Sequence, residues 1–290
     1  MHLVLEHRTA YVFSRPVFLE PHVIRLAPRP DPAQRVLDFR LDLDPAPAGR
    51  WDGLDAEGNH AVQVWFDGLH SELGIRTRLE VETRRDNPFA FLPVAAGAVL
   101  PPELTPAHAL ALSPCLRRIP GLGGAADAPA ALAAELARGV AAVEGGTLEF
   151  LLALNARLHG SLARLVRREP GLQTPAETLE QGRGACRDLA VLFMDVCRCA
   201  GVPARFVSGY HLGAAGTEAD ERDLHAWAEA WVPGAGWLGF DPTQGLLAAA
   251  QHVALAASHD PALAAPLSGS FRGTGALARL EHEIIVYPAG

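Results

Sequence analysis

Gly184-Ala185-Cys186 opens the stretch that most restricts how this sequence can fold. Apolar residues follow at helical spacing, Leu189, Leu192, Phe193, Val196 and Ala200, up to Gly201, with Pro203 beyond as a stop signal. The spacing predicts a helix that starts at or near Cys186 and has one long apolar stripe to bury. Three strand candidates come next, Ala204 to Tyr210, His225 to Val232 and Gly236 to Phe240. A helix followed by this run of strands makes the region α+β.

The same stretch carries reactive side chains in a useful order. A thiol is a nucleophile only as thiolate, and a free cysteine titrates near ~8.5. A cysteine at a helix start meets unpaired backbone N–H groups and the positive end of the dipole, both of which favour a negative sulfur. Arg187 next door adds to that field. The same N–H groups suit a tetrahedral oxyanion, at roughly 3 to 4 kcal/mol per well-placed donor. His225 lies 39 residues after Cys186, and Asp241 a further 16. That second interval accommodates strand, turn and strand, so two antiparallel neighbours bring His225 and Asp241 together at one end of a sheet. Cys186 as nucleophile, His225 as base and Asp241 as its orienting carboxylate make a thiol acyl-transfer site.

Residues 1–85 alternate with period two. Leu37, Phe39, Leu41 and Leu43 interleave with Asp38, Arg40, Asp42 and Asp44, and Ile75, Thr77, Leu79, Val81 and Thr83 with Arg76, Arg78, Glu80 and Glu82. This predicts half-buried antiparallel strands in a β domain, a small sandwich or meander. Asp55 to Asn59, with Gly58 inside, reads as a hairpin turn. Residues 86–129 form a Pro-rich linker, with Gly123-Gly124 and an inert Cys115. From 130 to 290 the period becomes helical: Leu132, Leu136, Val140 and Val143 make one stripe, and Leu148, Leu151, Leu152, Leu154 and Leu158 another. Thr174-Pro175-Ala176-Glu177 announces a further helix by capping box and first-turn proline. Ala278 to Tyr287 alternates again as a last strand, grouped here with the C-terminal core.

Composition narrows the function classes. Formal net charge is −8, and all 25 basic side chains are arginine, without the basic cluster a nucleic-acid surface needs. With no lysine, the protein has no side-chain amine with which to crosslink itself. The four cysteines, at 115, 186, 197 and 199, do not suggest a disulfide framework. The N-terminus lacks a signal-peptide pattern and no run is long enough to span a bilayer, so a reducing, cytoplasmic location without membrane association is expected. Cys186 and Cys197 cannot share a metal, since eleven helical residues separate them by roughly 16 Å. Neither a metal site nor a cofactor box is expected. Cys197 and Cys199 read as helix residues, and His252, His259 and the N-terminal histidines as structural. Asp188 and Glu229 read first as helix-surface and strand-face charges and otherwise as charges behind the triad, and Trp227 as core or cleft wall.

Gly-Ala-Cys-Arg-Asp before an apolar helix, Gly-Val-Pro-Ala-Arg-Phe-Val-Ser-Gly-Tyr, Leu-His-Ala-Trp-Ala-Glu and Gly-Trp-Leu-Gly-Phe-Asp-Pro-Thr together resemble the bacterial branch of the transglutaminase-like superfamily, which shares its core with papain-type thiol proteases. Tyr11-Val-Phe-Ser-Arg-Pro, Leu26-Ala-Pro-Arg-Pro and Phe39-Arg-Leu resemble the N-terminal region that accompanies this core in bacteria. The resemblance implies an N-terminal antiparallel β-sandwich-like domain followed by a papain/transglutaminase-like α+β catalytic core. It departs from the crosslinking animal enzymes in the flanks of the nucleophile, Ala185 and Arg187. It also lacks their upstream tryptophan, since the five tryptophans are at 51, 65, 227, 231 and 237. Gln181, near where papain-like proteases keep an oxyanion glutamine, and Gln173 are the side-chain candidates for that role.

The expected activity is therefore metal-independent attack on a peptide or protein amide, with hydrolysis favoured over transfer to an amine. An acyl-CoA-dependent acetyltransferase and a non-catalytic scaffold or peptide-binding module are the alternatives. Gly213 to Arg222, rich in Gly, Ala and acid, is a candidate gate.

Overall fold

Alternation in the first third of the chain becomes long strands: β1 (His2–Leu19), β2 (His22–Ile24), β3 (Gln34–Asp44), β4 (Gly49–Leu54), β5 (His60–Trp65) and β6 (His70–Thr83). The computed structural model describes residues 1–119, 127–167, 169, 171–213 and 224–288. The candidate gate, apart from Gly213, and the Gly123-Gly124 pair lie outside the described residues. After the β region come the short helices α1 (Pro106–Ala111) and α2 (Ser113–Leu116), then α3 (Ala128–Ala141), α4 (Thr147–Ser161), β7 (Ala163–Arg164), α5 (Pro175–Gln181), β8 (Arg183–Gly184) and α6 (Cys186–Cys199). Strands β9 (Ala204–His211), β10 (His225–Val232), β11 (Gly236–Asp241), β12 (Leu246–Leu247), β13 (His252–Ser258), β14 (Leu267–Ser268), β15 (Phe271–Arg272) and β16 (Ala278–Pro288) complete the described chain.

The β region is two antiparallel sheets over one core. One runs β15-β1-β6-β3 with β16 also on β1, the other β14-β2-β5-β4. The alternating positions do what their period demands: Leu3, Leu5, Ile75, Leu79 and Val81 turn inward to meet Ile24, Val62 and Val64. Asp55 to Asn59 closes the β4–β5 hairpin, with Asp55 N–H donating to Asn59 O and Gly58 at φ 75°.

The C-terminal core is a five-stranded antiparallel sheet, ordered β12-β11-β10-β9-β13, against which α6 lays its apolar stripe. Leu192, Phe193 and Val196 pack with Phe206, Ala228 and Phe240, and Phe193 stacks on Phe240 at 5.3 Å. Helix α5 begins as its sequence announces, Thr174 capping Glu177 N–H and Glu177 bonding back to Thr174 N–H. Val143 lies past the end of α3 and is exposed.

Two features differ from the sequence reading. Strand β13, an unbroken apolar run between His252 and Ser258, takes the outer edge of the central sheet beside β9. The last strand, β16, joins the N-terminal sheet rather than the central one, pairing with β1 from Leu3↔Pro288 to Phe13↔Ala278.

The two regions also share packing. Tyr210, Leu212, Val253 and Leu255 of the C-terminal core belong to the N-terminal hydrophobic cluster. The free edge of β13 is closed by two carboxamides. Gln34 donates to Ala254 O and accepts from Ala254 N–H, and Asn59 does the same with Ala257.

Candidate functional site

Cys186 is the first residue of α6, with Ala185 extended before it at ψ 167°. Gly184 sits close against the first turn: a Cβ there would come within 2.9 Å of the Leu189 side chain and 3.0 Å of the Asp188 Cβ. The N–H groups of Cys186 and Arg187 head the helix, where no intrahelical acceptor exists. The half-buried thiol sits beside the His225 ring and Ala226 N–H, and both favour its ionised form.

His225 begins β10, and Asp241 ends β11 next to it. His225 Nε2 donates to Asp241 Oδ2 at 2.7 Å, which leaves Nδ1 to face the sulfur. Asp241 is fully buried, and its Oδ1 accepts from Thr243 N–H (2.9 Å) and Gln244 N–H (3.2 Å). His225 and Asp241 are thus hydrogen-bonded directly, with the Cys186 thiol beside the same ring.

The electrostatics follow from that arrangement. Burial opposes charge on His225, but bonds to Asp241 and Cys186 outweigh it and raise its pKa to about 9. Burial likewise resists a Cys186 thiolate, yet His225 and Ala226 N–H bring the thiol below its usual value. Asp241 is held well below the carboxylate range, because the bonds from His225 and His252 overcome its burial. Together the shifts favour thiolate beside imidazolium.

Asp188 is not on the helix surface. It is wholly buried and accepts from Ala185 N–H (2.9 Å), Gln173 N–H (2.9 Å) and the Arg167 guanidinium (2.7 and 2.8 Å). Ala185-x-x-Asp188 is half of a capping box, the signal that would have placed it. Arg187 turns to the same loop, donating to the carbonyls of Arg167, Glu169 and Gly171. Both side chains fasten the loop ahead of α5 to the head of α6. Glu229 is buried in an ion pair with Arg205 at 2.6 Å. Gln173 donates to Gln181 at 3.0 Å, so the two oxyanion candidates engage each other.

Trp227 is a buried wedge behind the trio, 6.3 Å from His225 and edge-on to His252 at 5.0 Å between ring centres. Gly209 and Gly239 make room for it: a Cβ at either would meet its ring, at 2.6 and 3.2 Å.

His252 has a partner that its sequence context did not reveal. Its Nε2 donates to Asp241 Oδ2 at 3.1 Å. His211, its neighbour across the β9–β13 pairing, lies 4.8 Å away ring to ring, and burial and the nearby His252 and His225 lower its pKa to about 4. His211, Asp241 and His252 bring one ligand-type atom each within 4.8 Å of one another. A cation there would need a lone pair on His252 Nε2, but His252 Nδ1 accepts from Ala249 N–H at 3.4 Å, which leaves the ring hydrogen on Nε2. The donor set therefore fits a carboxylate better than a metal.

Comparison with known proteins agrees with this architecture. The model of the bacterial transglutaminase-like N-terminal region matches residues 3–82, and that of the transglutaminase-like superfamily matches residues 132–242. An uncharacterized protein of Mycobacterium leprae is 27% identical over 278 residues, 93% of each chain. A protein-glutamine gamma-glutamyltransferase of Pseudomonas aeruginosa is 42% identical over 65 residues, covering 21% of this chain and 10% of that one. The crystal structure of a proposed cysteine protease from Cytophaga hutchinsonii superposes with a TM-score of 0.71 at 19% identity, covering 100% of this chain and 92% of that one. At that identity the likeness speaks for the fold alone.

Proposed function

Because the chain belongs to the transglutaminase-like superfamily, we propose that it is a cysteine-dependent enzyme acting on amide or peptide bonds through Cys186, His225 and Asp241. The observation that carries this reading is the 2.7 Å bond from the His225 ring to the buried Asp241 carboxylate, with the Cys186 thiol at the head of α6 beside that ring.

In this mechanism the Cys186 thiolate attacks the amide carbon, and a sulfur–carbon bond forms as the carbonyl oxygen becomes an oxyanion. The N–H groups at the head of α6 stabilise that charge. A contribution from Gln173 or Gln181 requires their mutual bond to open. His225 then passes its Nδ1 proton to the departing nitrogen as the carbon–nitrogen bond breaks, leaving a thioester and a free amine. In hydrolysis, water attacks the thioester, gives a proton to His225, and the sulfur leaves as thiolate. Asp241 holds the ring orientation and its positive charge throughout.

Hydrolysis is the favoured outcome, because the crosslinkers' flanking residues are absent and Arg187 is committed to the loop carbonyls. Transfer to an amine is the second reading, favoured by the Pseudomonas match. Incubation with glutamine-containing peptides and a fluorescent amine separates them. Ammonia or new peptide termini without label means hydrolysis, and label on the peptide means transfer. Products that persist unchanged with Cys186→Ala would sink both.

A further inference from the structure

Among the described residues, the Asp241 carboxylate receives four hydrogen bonds, and only one comes from His225. Two backbone N–H groups hold Oδ1, and His252 shares Oδ2 with His225. His252 is itself fixed. It is buried, its Nδ1 faces Ala249 N–H, Trp227 packs edge-on against it, and its strand is clamped at Ala254 and Ala257 by Gln34 and Asn59. Among the described residues, the titratable groups around it are Asp241 on β11, His225 on β10 and His211 on β9, with Cys186 of α6 beside His225.

We propose that His252 is a positioning residue for the reaction: its Nε2–H holds the Asp241 carboxylate ionised and aimed at His225, and so sustains the thiolate at Cys186. The inference rests on the Cys186–His225–Asp241 reading. A buried carboxylate is kept charged by the donors that satisfy it. Removing His252 takes away one of two donors on the oxygen that orients the base and leaves that lone pair unpaired in the interior. Asp241 then has less reason to stay charged, His225 loses part of what raises it, and the thiolate loses its counterion. The chain of effects begins on an edge strand held in place by the N-terminal region.

The test needs no natural substrate. Rates of Cys186 alkylation by iodoacetamide are measured against pH for the wild type, His252→Phe, His252→Gln and Asp241→Asn, with near-UV circular dichroism reporting the fold. Wild type is expected to have a midpoint below that of an ordinary thiol. His252→Phe should move it up by about one pH unit, in the direction of Asp241→Asn. His252→Gln, which retains an N–H donor near the position of Nε2, should restore most of the shift. If His252→Phe is misfolded, the Gln variant is compared with His252→Leu, and a wild-type midpoint in a folded donor-less variant overturns the proposal. A donor-less variant that matches the wild type while Asp241→Asn does not overturns the role of His252 alone. A wild type that alkylates like a free thiol overturns the triad reading as well.

Discussion

Four thiols share one chain, and their surroundings drive them apart. Burial pushes Cys115 up to about 11 and raises Cys197 and Cys199, whereas Cys186 alone is lowered, by His225 and Ala226 N–H against its own burial. Brief treatment with iodoacetamide at neutral pH should therefore label Cys186 at least about ten times faster than the other three, as peptide mass spectrometry can check. Even labelling would count against the thiolate. The pH profile has a sign as well. His225 is raised from 6.5 to about 9, so the imidazolium's stabilising contribution is full below about pH 6.5 and is lost as pH rises through about 9. Turnover should fall on a basic limb near pH 9, where His225 can no longer protonate the leaving amine. At this scale the sequence was informative where the signal was local. The place of Cys186 at the head of α6 was legible because glycine, alanine and an apolar helix adjoin it. Asp188 was misplaced because only its bond to Ala185 N–H is local, while its burial also depends on Arg167 and Gln173, which reach it from a loop earlier in the chain. Replacing Asp188 with Ala leaves Arg167 and two N–H groups without their acceptor and should cost about 3 to 5 kcal/mol in urea unfolding.

Strand β13 shows what periodicity misses. A short apolar run is ambiguous between buried strand and helix, and this one sits beside β9, out of sequence order. No local pattern says which strand it will join, so the proximity of His252 to Asp241 was hidden too. By contrast, α5, α6 and the β4–β5 hairpin announced themselves through caps, stops and turn residues that act within a few positions. The carboxamide clamps were also invisible, because Gln34 and Asn59 find Ala254 and Ala257 across 220 and 198 residues. Replacing either amide with Leu should destabilise the protein by about 1 to 3 kcal/mol, the range for a buried polar group left unpaired. Hydrogen exchange should then quicken at Ala254 or Ala257. Unchanged protection would show that the edge is held by something else.

Across the whole molecule, the N-terminal sheets and the C-terminal sheet share a hydrophobic cluster. Tyr210, Leu212, Val253 and Leu255 complete a core made largely by β1 and β6, and His7 Nδ1 meets Tyr210 OH at 2.9 Å. Separating the regions would expose those side chains and unpair the β13 edge. Near-UV circular dichroism, which sees Trp51 and Trp65 in one region and Trp227 in the other, should therefore report one unfolding transition coincident with loss of far-UV signal. Two resolved transitions would mean that the shared packing is too weak to couple the regions.

The pairing of β1 with β16 has a kinetic side. Leu3 meets Pro288 and Phe13 meets Ala278, contacts between residues almost a full chain length apart. Ladders of such high contact order must bear the closure entropy of everything between them before they return any energy. Folding should accordingly be slow, with β16 docking late onto a sheet whose other strands are already paired. Until it docks, one edge of β1 offers a row of open hydrogen-bonding groups, and in that interval the nascent protein is most exposed to pairing with another copy of itself.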